Sequence, residues 1–166
     1  MSADPLPRGL PLHFERIRGF IDLDMMEDAW RELDAVPLNA RDHPSYRWLR
    51  ITACLGLDKH FEATKITAEL CSEYPEHEEN WLFLANLLVK VGFLDLAIET
   101  LTGAQEQNDS PDIRYELAAN LCASGKIEEA RDKLEALLAV QPLHRDKAED
   151  DPRFEPIADL FLEDDE

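Results

Sequence analysis

Apolar residues along this chain recur at helical spacing, and one stripe of them recurs four times. The segments DMMEDAWRELDAV, KHFEATKITAEL, FLDLAIETLTGA and KIEEARDKLEALL each carry an alanine near the start: Ala29, Ala63, Ala97 and Ala130. The separations are 34, 34 and 33 residues. Four residues later stand Leu33, Thr67, Leu101 and Leu134, and seven later Val36, Leu70, Ala104 and Leu137. Offsets of four and seven lie on one face of a helix. The pattern predicts four amphipathic helices, each showing the same small-then-apolar seam.

The stretches between them repeat as well. WLFLANLLVKVG (Trp81–Gly92) and RYELAANLCASG (Arg114–Gly125) lie 33 residues apart, which aligns Leu84-Ala85 with Leu117-Ala118, Leu88 with Leu121 and Gly92 with Gly125. An earlier copy, WLRITACLGL from Trp48, puts Ile51, Thr52 and Leu55 on the stripe; the first, HFERIRGFIDL, puts Ile17 and Phe20 there. The spacing predicts helices in pairs, A then B, at about 12–23 and 26–36, 45–57 and 60–73, 78–91 and 94–107, and 111–123 and 127–140. Small residues on A (Ala85, Ala118) let B approach, and B answers with Ala97 and Ala130. A glycine after A permits a left-handed residue at the helix end. Pro75 and Pro142 stop B helices, whereas Pro44 and Pro111 fall where a first turn tolerates proline. Ser110 followed by Pro111 and Asp112 reads as an N-cap with an acidic first turn.

These residues resemble the tetratricopeptide repeat (TPR) family: a period near 34, a large residue opening helix A (Trp81), Leu-Ala one turn later, Gly at the turn, Ala in helix B and Pro after it. The resemblance covers about His13 to Pro142 and is strongest in the third and fourth copies. In the second copy, Asp58 or Lys59 fills the glycine position; in the first, Asp24 does. In the fourth, Arg114 stands where an aromatic is usual, with Tyr115 adjacent. The resemblance implies an all-α chain, a right-handed α-solenoid of about four helix hairpins whose A helices line a concave groove. The expected organisation is a flexible arm over 1–11, repeats at about 12–37, 44–75, 77–109 and 110–142, a capping segment over 143–162 and an acidic tail at 163–166. Phe154, Ile157, Ala158 and Phe161 are spaced for a short amphipathic helix that would cover the last apolar face.

Charge narrows the partners. With 36 acidic against 17 basic residues, the formal net charge is −19. Such a chain repels nucleic-acid phosphate and anionic lipid at long range, so neither nucleic acid nor a membrane is expected as a partner. The N-terminus lacks the basic start and apolar stretch of a signal peptide. The three cysteines, Cys54, Cys71 and Cys122, form no CxxC pair and sit in apolar helical stretches. They read as small core residues in a reducing compartment, and a cytoplasmic location is expected.

No catalytic chemistry stands out. The five histidines are scattered near helix ends, without zinc spacing. No phosphate-cradling glycine loop, dinucleotide fingerprint or nucleophile elbow is present. Acidic pairs such as Glu78-Glu79 read as solvated faces. No cofactor or metal is expected, and Trp30, Trp48 and Trp81 read as core. An enzyme is disfavoured.

The expected activity is binding. Residues of the A helices pointing away from B are assigned to the groove: Phe14 and Arg18; Leu49, Arg50 and Ala53; Phe83, Asn86 and Lys90; Tyr115, Ala119 and Cys122. With aromatic anchors and three cations, this set would accept an extended segment or partner helix with an apolar anchor and a nearby carboxylate. The alternative is that the aromatics pack between A helices and the cations pair with acids such as Glu15 or Glu79. Some TPR domains grip a C-terminal carboxylate of a chaperone, but Glu116, Ala119 and Ala123 leave that clamp incomplete here. The chain therefore reads as a non-enzymatic adaptor or scaffold for a protein or peptide. The competing reading is a small acidic TPR chaperone of a secretion or assembly system. Monomer and weak dimer both stay open.

Overall fold

A computed structural model describes residues 9–161. Residues 1–8 of the expected arm, residue 162 of the cap and the tail 163–166 lie outside the described residues. Among the described residues every regular element is helical, and no helix is long and apolar enough to cross a membrane. The chain forms two compact units, Met1–Leu70 and Cys71–Glu166.

The first unit holds α1 (Leu10–Asp22), α2 (Met26–Asp34), a short 3-10 turn (Leu38–Ala40), α3 (Pro44–Gly56) and most of α4 (His60–Glu73). Helix α1 starts inside the expected arm, with Pro11 in its first turn. Its core joins Phe14 and Ile17 of α1 to Ala29 and Leu33 of α2 and Leu49 of α3. The second unit holds α5 (Glu78–Lys90), α6 (Leu94–Gln107), α7 (Pro111–Ala123), α8 (Ile127–Val140), the short α9 (His144–Glu149) and a 3-10 run over Pro152–Phe161. Helices α5 with α6, α6 with α7 and α7 with α8 pack as neighbours in chain order.

The repeated seam is the core of both units. Ala29, Ala63, Ala97 and Ala130 are all fully buried, as are Leu33, Thr67, Leu101 and Leu134 four residues on. Thr67 fits because its hydroxyl donates to the Ala63 carbonyl at 2.8 Å, one turn back, leaving no orphan polar group.

The A-to-B turns share one geometry. A residue with positive φ follows each A helix: Asp24 (φ 58), Asp58 (φ 55), Gly92 (φ 88) and Gly125 (φ 83). The next residue then donates its N–H to a carbonyl five positions back: Met25 to Phe20, Lys59 to Cys54, Phe93 to Leu88 and Lys126 to Leu121, at 2.8–3.0 Å. This is the bond that closes a Schellman-type helix end. The left-handed residue of the second turn is thus Asp58, not Lys59. Aspartate is among the few side chains that tolerate this conformation.

Helix starts obey the same local rules. Ser110 Oγ accepts the Ile113 N–H at 3.2 Å, and His43 Nδ1 accepts the Ser45 N–H at 3.1 Å ahead of Pro44. The C-terminal segment departs from expectation. In place of an amphipathic α-helix over 154–161, α9 is followed by a 3-10 run broken at Ile157 (φ −125, ψ 25). Pro156 lies inside it, and proline lacks the N–H and clashes with the preceding turn of an α-helix. Phe154 and Ile157 are nonetheless fully buried.

Candidate binding surface

The shared turn residue gives a structural register for the A helices. Aligned on Asp24, Asp58, Gly92 and Gly125, Phe14, Trp48, Leu82 and Tyr115 are equivalent. Glu15, Leu49, Phe83 and Glu116 form a second row; Arg18, Thr52, Asn86 and Ala119 a third; and Asp22, Gly56, Lys90 and Ala123 a fourth. The last three rows lie at offsets of three and four, hence on one helical face.

The assigned groove residues divide along this register. Arg18, Leu49, Phe83, Asn86 and Lys90 share the face. Phe14 and Tyr115 fall one row off it, a rotation of about 100°, and both are buried. Arg50 aligns with Leu84 and Leu117, which face the core. Phe14, Tyr115 and Arg50 are therefore not exposed anchors.

In the first unit, Arg50 is tied down on every side. Its guanidinium donates to Asp34 at 2.6 Å and to Glu62 at 3.1 Å, and lies 3.6 Å over the Trp30 ring. Burial works against its charge, but these carboxylates outweigh it and hold the pKa above the ordinary value. Lys59 Nζ also lies over Trp30, at 3.5 Å. Arg18 is exposed but paired with Glu15 at 3.2 Å. Leu49 belongs to the core with Phe14. What the first unit leaves of the assigned set is one paired arginine.

In the second unit, Tyr115 is a keystone of the cap. Its hydroxyl donates toward the Asp151 carboxylate (3.0 Å) and the Lys147 carbonyl (3.2 Å), and its ring meets Phe154 edge-on at 5.4 Å. Burial and the neighbouring Asp151 push the phenol's pKa up. Arg153 completes the lock, reaching Glu116 at 2.7 Å and Asp151 at 2.6 Å. Burial alone would raise the Asp151 pKa, but hydrogen bonds from Arg153 and Tyr115 reverse this and lower it. The sequence reading placed Glu116 on the A-helix face but missed its pairing with Arg153, and missed the part played by Asp151 and Arg153. Its own 33-residue offset held the signal, since that offset pairs Phe83 with Glu116 and not with Tyr115.

Of the assigned groove residues on the shared face, those that are exposed and outside any ion pair among the described residues are on α5. Asn86 and Lys90 are exposed and Phe83 is half-buried. Among the described residues Lys90 forms no ion pair, whereas Arg18, Arg50 and Arg153 each do. The arrangement offers an amide that can donate and accept, an ammonium that can meet a carboxylate, and an aromatic surface beside them. It has no nucleophile–base pair and, among the described residues, no cluster of metal-ligating side chains. The three thiols are free and buried, and burial pushes Cys54 up to about 11 and Cys71 up to about 12, far from nucleophilic thiolates.

No protein-family model matches the chain, and no curated protein matches it. Solved structures do. MamA AMB-1 in one crystal form is 19% identical over 91% of this chain and 85% of its own, with a TM-score of 0.61. A second MamA AMB-1 form is 18% identical over 91% of each chain, with a TM-score of 0.57. YrrB, a TPR protein with an unusual peptide-binding site, is 18% identical over 82% of this chain and 71% of its own, with a TM-score of 0.60. Together with the four like turns and the buried alanine seam, this similarity shows the architecture: the chain has the all-α fold of a tetratricopeptide-repeat solenoid.

Proposed function

We propose that this chain is a non-enzymatic protein-interaction module that takes an extended peptide or partner helix along the exposed face of α5. The observation that carries the reading is Lys90. It is a cation left without an ion pair among the described residues of a chain with net charge −19, on the same face as exposed Asn86 and half-buried Phe83. A partner carboxylate would meet Lys90, Asn86 would pair with partner backbone, and an apolar partner side chain would rest on Phe83. Peptide binding by the similarly folded YrrB supports the class of ligand. The buried free thiols agree with a reducing, cytoplasmic setting.

The test is quantitative capture of partners by the tagged protein from extract of its own cells. The double variant Phe83→Ala/Lys90→Glu should lose partners that the wild type retains, while keeping its helical circular dichroism. Retention of every partner at wild-type yield would refute the α5 assignment.

A further inference from the structure

The turn joining α5 to α6 differs from its three equivalents in a way the fold does not require. At the position following the left-handed residue, the second and fourth turns carry Lys59 and Lys126, whereas the first and third carry apolar Met25 and Phe93. Three residues on, the other copies carry Asp28, Glu62 and Glu129, but the third carries Leu96. All four turns make the same closing hydrogen bond, so charged residues suffice there for folding. Yet Phe93 is 48% exposed, Leu96 47% and Val89 on α5 40%. Phe93 and Leu96 line one depression, and adjacent apolar side chains left this open suit a contact surface.

Phe93 and Leu96 open onto a cleft of about 610 Å³, lined also by Leu94, by Ala123 at the end of α7 and by Ser124 just after it. The cleft is open to solvent, so an inserted group would rest on it and stay partly exposed. Its charged lining consists of Asp95 and Glu99. These carboxylates stand four apart on α6, where like charges repel, and neither has an ion pair among the described residues. By contrast Asp28, Asp34, Glu62, Asp109, Glu116 and Asp159 are each bridged to an arginine.

We infer that this cleft docks a basic amphipathic segment of a partner protein: one aliphatic or aromatic side chain enters against Phe93 and Leu96, while a lysine or arginine about one helical turn away meets Asp95 and Glu99. The inference rests on the reading of the chain as an interaction module, but on none of the α5 residues that reading uses. A second copy of this chain is a poor occupant, because it would bring its own excess of carboxylates to an acidic rim.

The test uses a fluorescein-labelled peptide of leucine and lysine at helical spacing as the probe, with binding to the full chain read by anisotropy. Phe93→Lys and Leu96→Glu install residues the sibling repeats already carry, so both should fold. Leu96→Glu is the sharper variant: it adds negative charge, yet should weaken binding about tenfold because the anchor site is lost. Asp95→Asn and Glu99→Gln should each weaken it about two- to fivefold, less so at high salt. The double variant Glu128→Gln/Asp132→Asn, which removes the equivalent charges from α8, should bind as wild type. So should the charge-neutral Asn86→Ala, which separates this cleft from the α5 face. The inference is overturned if Leu96→Glu binds the peptide as tightly as wild type or tighter, or if the α8 control weakens binding equally, since either reports net charge alone. Self-association by light scattering that Leu96→Glu abolishes would also overturn it, by making a second copy the occupant.

Discussion

The Arg50 guanidinium sits 3.6 Å over the ring of Trp30, joining α3 to α2 while its nitrogens reach Asp34 of α2 and Glu62 of α4. Three helices of the first unit thus share one side chain, whose exposure is only 15%. Arg50→Ala should lower stability by about 2 kcal/mol, combining a shielded cation–π contact with charged hydrogen bonds. Arg50→Lys should recover little, because an ammonium cannot stack its plane on the indole and fork to two carboxylates at once. Chemical denaturation followed by tryptophan fluorescence would measure both.

The buried seam makes a second prediction. Leu101 and Ala97 are fully buried on α6. Leu101→Ala should cost roughly 2–5 kcal/mol through lost burial and a residual cavity. Ala97→Leu should cost about 1–3 kcal/mol by overpacking the approach of α6 to its neighbours. Thermal unfolding that leaves either variant at the wild-type midpoint would contradict the packing described here.

The turns predict opposite signs for two substitutions at equivalent positions. Asp58 holds φ 55 with a side chain exposed to water. Asp58→Gly should stabilise by up to about 1 kcal/mol, because relief of the left-handed strain exceeds the added unfolded-state entropy. Gly92, at φ 88, should lose about 1 kcal/mol as Gly92→Ala. Paired denaturant melts of the two variants would check the sign difference.

Acid should loosen the cap. The Asp151 pKa is lowered in the folded state, so its contribution is fully present above the unfolded carboxyl value of about 4. It is lost as pH falls through the lower folded value, when the proton taken up removes the negative charge that Arg153 and Tyr115 stabilise. Asp151→Asn should therefore be less stable than wild type at pH 6, with the gap narrowing below about pH 4. Melting temperatures across that range would test it, and a gap independent of pH would count against the lock.

The alanine seam was legible in sequence because burial repeats with the helical period. Ala63 and Ala130 announce their surroundings by spacing alone. Turn chemistry was nearly as legible: glycine at Gly92 and Gly125 marks a left-handed residue, and the same register finds Asp24 and Asp58. The groove list was less so. Phe14 and Tyr115 are aromatic, and residue type drew them into it; one position along a helix turns a side chain by about 100°, which carries both off the open face. Arg50 looked like a free cation because its partners Asp34 and Glu62 lie on other helices.

By itself, the sequence determined the periodicity: four helix pairs, their turns and the residues each pair must bury, since those follow from local geometry and the removal of apolar surface from water. The tertiary structure alone decided which surface residues stay open. Pairing across helices ties Arg50 to α2 and α4 and hides Tyr115 beneath Phe154, while Lys90, Phe93 and Leu96 remain exposed. Exposure depends on which helices arrive as neighbours, and that information is spread over the whole chain and absent from the local pattern.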